Sequence, residues 1–160
     1  MTQKEELKKH ISVEAQYVKD LSFENPGAPN SLTKTKSIPQ IDLSLDIEVH
    51  KLSENDVFEV VLNTSAKALI EGETLFIVEL QYAGIFTLTN FDEPQKSMML
   101  AVYAPSILFP FARKIIADAT QSGGFQPLMI DPIDFASLYE KKLAQGIYIP
   151  QSDEWCQMSK

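Results

Sequence analysis

The chain is poor in the residues that staple folds or hold metals. It has one cysteine, Cys156, close to its single tryptophan, Trp155, near the C-terminal end. A lone thiol closes no internal disulfide. Histidine is scarce too: His10 and His50 stand far apart, with no Cys or His at ligand spacing, which argues against a metal site. The opening MTQKEELKKHISVEAQY lacks an apolar run of signal-peptide length. No apolar window approaches a membrane span; the best stretch, Tyr103 to Phe111, is short and carries Pro105 and Pro110. A cytoplasmic chain is expected.

Positive charge is also in short supply. Lys and Arg number 14 against 22 Asp and Glu, a net charge of -8. Nucleic-acid binding depends on Lys and Arg neutralising phosphates, so this balance speaks against it. It suits a partner that carries basic patches. Catalytic signatures are missing as well. No serine sits in a G-x-S-x-G elbow. Gly123-Gly124 lacks the lysine and the preceding strand of a phosphate-binding loop, so nucleotide hydrolysis is not expected.

What the chain does have is apolar pattern. Apolar residues make up 44% of 160 residues, enough for one core. Residues 1–9 are polar and expected to fray. From His10, Ile11, Val13, Ala15 and Tyr17 are expected to face one way, as in a half-buried strand. LSFENPGAPN ends it, and an irregular crossover runs to Pro39. Ile41, Leu43, Leu45, Ile47 and Val49 mark a second strand, and Phe58 to Ala66 a third. A turn at Glu71-Gly72 leads to a fourth, from Thr74 to about Thr89, which is apolar at points on both faces. Short turns favour antiparallel pairing.

Helices follow. Asp92 with Gln95 forms a capping-box pattern. Ile107, Phe111, Ile115 and Ala119 make one i, i+4 row, and Leu108, Ala112 and Ile116 its neighbour. Pro110 belongs in a first turn or at a kink. Gly123-Gly124 stops this helix. A last helix is expected from Asp131 as cap, with Pro132 at its first position, to about Gln145. Residues 10–146 form the domain and 147–160 a tail. Strands before helices give an α+β class: a four-stranded antiparallel sheet with helices packed on one face. A helix apolar on more than one side, beside exposed sheet edges, points to oligomerisation.

Candidate sites read modestly from the residues alone. Asp131 and Asp134 fit helix capping better than a paired acid and base. Asp20 and Glu24, flanking Phe23, read as solvated loop acids, and Glu79 as an exposed strand residue. Phe125, Leu128, Met129 and Ile130 read as core lining.

Three stretches change that balance. YVKDLSFENPGAP (residues 17–29), FIVELQYAGIFTL (76–88) and APSILFPFARKIIADATQSGGFQPLMIDPIDFASLY (104–139) resemble the SecB family of protein-export chaperones. The resemblance implies a homotetramer, a dimer of dimers. The long helix then lies at the dimer–dimer interface, which nominates Ile107, Leu108, Phe111, Ile115 and Ala119. It implies a chaperone with no cofactor that holds unfolded precursors in the cytoplasm and delivers them to the SecA motor ATPase. The family's SecA contacts fall on Asp20, Glu24, Ile77 and Glu79. Its substrate groove falls on Leu32, Ile38, Phe125, Leu128, Met129 and Ile130. Two features depart from the family pattern: SLTKTKSIPQ lacks the tryptophan many members carry there, and the tail is only weakly acidic. Two alternatives are a SecB-like chaperone dedicated to an antitoxin or other single client, and a small enzyme using the Asp131 and Asp134 pair.

Overall fold

The computed structural model describes residues 7–33 and 37–144. Most of the expected N-terminal fray, the end of the last helix and the tail with Trp155 and Cys156 lie outside these described residues. Four strands form one sheet: β1 (His10–Glu24), β2 (Gln40–Ser53), β3 (Val57–Ile70) and β4 (Glu73–Thr89). Their order is β1-β4-β3-β2, and every neighbouring pair is antiparallel. The β2–β3 and β3–β4 links are tight turns with left-handed residues, Asp56 in the first and Glu71 and Gly72 in the second. The crossover after β1, with its short helix α1 (Asn30–Thr33), carries the chain past the sheet. So β1 lies on β4, and β1 and β2 are the two free edges.

β1 departs from simple alternation. Its register against β4 slips between Val13 and Ala15 and again between Val18 and Asp20. Each slip is a β-bulge, one extra residue that turns the following side chains to the other face. Ile11 and Val13 pair with Leu88 and Phe86, on the helix side. Ala15 and Tyr17 pair with Ile85 and Ala83, on the outer side. The expectation that all four share a face is therefore corrected.

The helical layer is more continuous than the sequence suggests. Asp92 caps α2 (Glu93–Met98), and both hydrogen bonds of the capping box form with Gln95. A π-helical stretch, Met99–Tyr103, joins it directly to α3 (Ala104–Ser122). Pro105 has no N–H to offer the Ala101 carbonyl, and the wide turn lies just before it. Pro110 sits inside α3 without ending it. The result is one 30-residue helix, Glu93–Ser122, long and apolar enough by composition to cross a membrane, contrary to the expectation from its prolines. A core helix meets the same test, and here Ala104, Leu108, Ala112 and Ile116 are buried.

α3 lies over β4 and β3. Its contact point is Gly84: a Cβ there would stand 2.9 Å from Leu108 Cδ2 and 2.8 Å from Phe86 Cε2. Phe58, Val60 and Leu62 of β3 and Val78, Leu80 and Phe86 of β4 fill the layer between. Gly123 ends α3, and Gly124 takes the left-handed φ of 92° expected of a helix-stopping glycine. Thr120 fastens the next segment by accepting from the Leu128 backbone N–H at 2.9 Å. α4 (Phe135–Ala144) starts three residues later than the Pro132 expected. Asp134, not Asp131, is its cap, accepting from the Ser137 N–H at 3.1 Å.

Leu108 and Phe111 lie one turn apart on α3 but differ in depth: Leu108 is fully buried and Phe111 is 49% exposed. Leu108→Ala should cost about 2–5 kcal/mol of unfolding free energy. Phe111→Ala should cost the single subunit less than half of that. Urea unfolding of the two variants beside the parent checks the difference.

Candidate functional site

The outer face of the sheet is built by register. Ile77, Glu79, Gln81, Ala83 and Ile85 alternate along β4 with the buried Phe76, Val78, Leu80 and Phe86. Cross-strand pairing sets Glu24 beside Ile77, Ser22 beside Glu79 and Asp20 beside Gln81. From β3, Lys67 lies beside Ile77, Ser65 beside Glu79 and Asn63 beside Gln81. Asp20, Glu24, Ile77 and Glu79, far apart in sequence, thus share one face. A shallow depression of about 350 Å3 opens there, lined by the carboxylates of Asp20, Asp46, Glu48 and Glu79 with Asn63 and Gln81 between them. Glu48 is held in place by the Asn63 amide at 3.0 Å and by His50 Nε2 at 3.2 Å.

Beside this depression is a three-residue network. The Tyr17 hydroxyl donates to Glu59 Oε2, and Lys19 Nζ stands 3.0 Å from Glu59 Oε1. Burial, then the hydrogen bond to Glu59 and its charge, push the Tyr17 hydroxyl from 10.0 up to about 12. Burial alone would raise Glu59. The bonds from Tyr17 and Lys19 and the charges of Lys19 and His50 outweigh it and hold Glu59 below its usual value.

The opposite side carries an apolar cluster where β1 leaves the sheet, the segment that the resemblance nominates as a substrate groove. Phe23, Phe76 and Phe125 cluster there, with ring centroids 5.9 Å apart for Phe23–Phe76 and 5.0 Å for Phe76–Phe125. Leu32 and Met129 are exposed, Phe125 and Leu128 half-buried, and Ile38 is 95% exposed. Ile130 differs: it is buried in the core and offers no groove surface. Sequence reasoning missed Phe23, which lies half-buried beside Phe125; Phe76, at 4% exposure, is as buried as Ile130. The signal was the position of Phe23 between outward acids, which sends its ring to the other face.

The third surface is on α3. Ile107, Ile115 and Ala119 are half-buried and Phe111 is exposed, stacked 6.1 Å from Tyr82. Leu108 is corrected out of this row, because it is wholly buried under the helix and presents nothing to another subunit. The apolar surface runs on from Phe111 over Tyr82 to its cross-strand partner Val18, which is exposed along with Leu21.

None of these surfaces joins a nucleophile to a base, and the described residues hold no cluster able to bind a metal ion. Asp134 caps α4, and its bonds from the Ser137 backbone and hydroxyl lower its pKa. The sheet thus has an acidic face on one side and a partly exposed apolar cluster on the other. Comparison with known proteins gives the family. Residues 4–146 match the family described as "Preprotein translocase subunit SecB". The protein-export protein SecB of Rickettsia felis is 56% identical over 144 residues, covering 90% of this chain and 95% of that one. Its counterpart from Rickettsia massiliae is 59% identical over 136 residues, covering 85% and 90%. A Mycobacterium tuberculosis SecB-like chaperone, solved in complex with a peptide from an antitoxin, has the same fold. Its TM-score is 0.65 at 16% identity, over 77% of this chain and 90% of that one. The chain belongs to the SecB family.

The Tyr17 network gives a pH test with a definite sign. Folded, Tyr17 keeps its proton to about pH 12; its reference value is 10.0. The stabilisation is therefore complete below pH 10 and is lost as the pH rises towards 12. Tyr17→Phe should flatten that alkaline loss, read from urea midpoints across the same range.

Proposed function

We propose that this SecB-family protein is an ATP-independent protein-export chaperone whose two sheet faces divide the work. Membership of the family makes it a non-enzymatic chaperone of protein export, and the family implies preprotein clients and the motor SecA. The finer reading is ours. Unfolded precursors bind in the cytoplasm to the groove of Leu32, Ile38, Phe125, Leu128 and Met129. SecA docks on Asp20, Glu24, Ile77 and Glu79. Four subunits assemble as a dimer of dimers through Ile107, Phe111, Ile115 and Ala119.

One observation carries this reading: the four docking residues share the outer face, while the aromatic groove lies across the sheet from them. An unfolded chain exposes apolar side chains, and each square ångström removed from water gains about 25 cal/mol. Binding the unfolded form draws the client away from its folded state by mass action. Linked subunits let one long client occupy several grooves, which raises effective concentration. A carboxylate-rich face meets a basic surface on the motor through charge, without competing for the groove.

Asp20→Ala with Glu24→Ala should weaken SecA binding about tenfold or more, equal to about 1.4 kcal/mol, and spare client holding. Calorimetric titration with SecA measures the first, and delayed refolding of a precursor without ATP measures the second. SecA binding of undiminished strength would rule out this docking surface. Phe111→Asp should halve the assembly, because a carboxylate cannot be buried unpaired in an apolar contact. Light scattering reads the mass; an intact tetramer would exclude α3 from the interface.

A further inference from the structure

The described residues include no cysteine, so their sulfur is all methionine: Met98, Met99 and Met129. Met129 is the most open of the three, 55% exposed against 48% for Met98, while Met99 is half-buried. Its exposure is fixed by its neighbours. The chain between α3 and α4 has neither helix nor strand, yet it is held on both sides of Met129. The Leu128 N–H donates to Thr120 Oγ1 at 2.9 Å, and Thr120 is fully buried and donates in turn to the Ile116 carbonyl at 3.1 Å. Leu128 packs against the core and Ile130 lies within it. With both neighbours taken up inside, the side chain between them is left to water. Phe125, on the same segment, stands 5.0 Å from Phe76 in the aromatic cluster. A thioether sulfur keeps its reactive lone pair at any pH, and its oxidation depends on access from solvent.

We propose that Met129 is a site of reversible oxidation whose sulfoxide lowers the affinity for unfolded clients. The proposal rests on the client groove assigned above and adds a chemical control to it. A peroxide supplies the oxygen. The Met129 sulfur lone pair attacks one peroxide oxygen, and the O–O bond breaks as the S–O bond forms. The other oxygen takes the proton and leaves as water. Sulfur gives up two electrons and the peroxide accepts them. A dithiol reverses the step: it is oxidised to a disulfide, and the sulfoxide oxygen leaves as water, the reaction that methionine sulfoxide reductases catalyse. Oxidation replaces a soft apolar contact with a polar, hydrogen-bond-accepting one. A client that covers this oxygen strips it of water, and an apolar client side chain has no donor to offer in return.

The test uses the full-length assembly with Cys156→Ser, which removes the only thiol. Met98→Leu and Met129→Leu are added to that parent singly. Each protein is treated with hydrogen peroxide, freed of it, and mapped by peptide mass spectrometry. Fluorescence anisotropy then reads the affinity for labelled, reduced and carboxamidomethylated α-lactalbumin, a chain that stays unfolded. Oxidation should weaken the parent and Met98→Leu about fivefold or more, and Met129→Leu by less than about twofold against its own untreated sample. Methionine sulfoxide reductases with dithiothreitol should restore the parent; a loss that persists overturns the reversibility. Untreated Met129→Asp reads the groove itself and should also bind about fivefold or more weakly. An equal loss in Met129→Leu, or undiminished affinity once Met129 carries its oxygen, overturns the oxidation site, and weak binding by Met129→Asp then leaves the groove standing. Normal client binding by Met129→Asp removes Met129 from the groove, and the oxidation site falls with it.

Discussion

The close approach of α3 to β4 at Gly84 sets the rest of the architecture. With no side chain on the strand at that point, Leu108 comes down onto the backbone, and the helix is fixed over β4 and β3. A helix with its side chains is about 10–12 Å wide, and strands lie about 4.8 Å apart. One helix therefore covers roughly two strands. The outer two are left partly bare on the helix side, at Val13, Val18 and Leu21 of β1 and Leu43 of β2. The apolar surplus of this subunit is a consequence of laying one long helix over the middle of a four-stranded sheet. Exposed apolar area of that kind is what contact with another protein removes from water.

The parts that could be read in advance are those where local chemistry and tertiary packing agree. β3 shows this best: Phe58, Val60, Leu62, Thr64 and Ala66 alternate without interruption and are all buried. Asp92 and Gln95 cap α2 as their spacing requires. The last helix was misplaced by a real ambiguity, since Asp131-Pro132 and Asp134 both satisfy the rules for a helix start. Ile133 and Phe135 pack against the core and Phe135 is the buried one, so the chain turns helical at the later cap. The long helix was underestimated for the opposite reason. Two prolines read as breaks, but a π-helical stretch before Pro105 keeps the chain helical through the first.

The aromatic cluster was legible only in part. Phe125, Leu128 and Met129 read as core lining from the residues alone, and only the family resemblance drew them and Leu32 towards a groove. Phe23 and Phe76 sit inside strands, where a large apolar side chain is ordinary. Only the pairing of β1 with β4 shows that both rings meet Phe125 at one end of the sheet.

A single extra residue decides how the two faces are used. Val18 pairs with Tyr82 and points to the helix side. Strict alternation from there would send Asp20, Ser22 and Glu24 inward, and Leu21 and Phe23 out to water. Two carboxylates would then line the apolar groove, where an unpaired charge costs several kcal/mol or stays protonated. The bulge between Val18 and Asp20 reverses the parity. Lys19, the added residue, reaches across the outer face to Glu59, so the irregularity has its own ion pair. After it, Phe23 closes the groove while Asp20 and Glu24 join Glu79 outside. The separation of an acidic face from an apolar one is thus set by strand register, and a chain without this bulge would exchange the two sets of side chains between the faces.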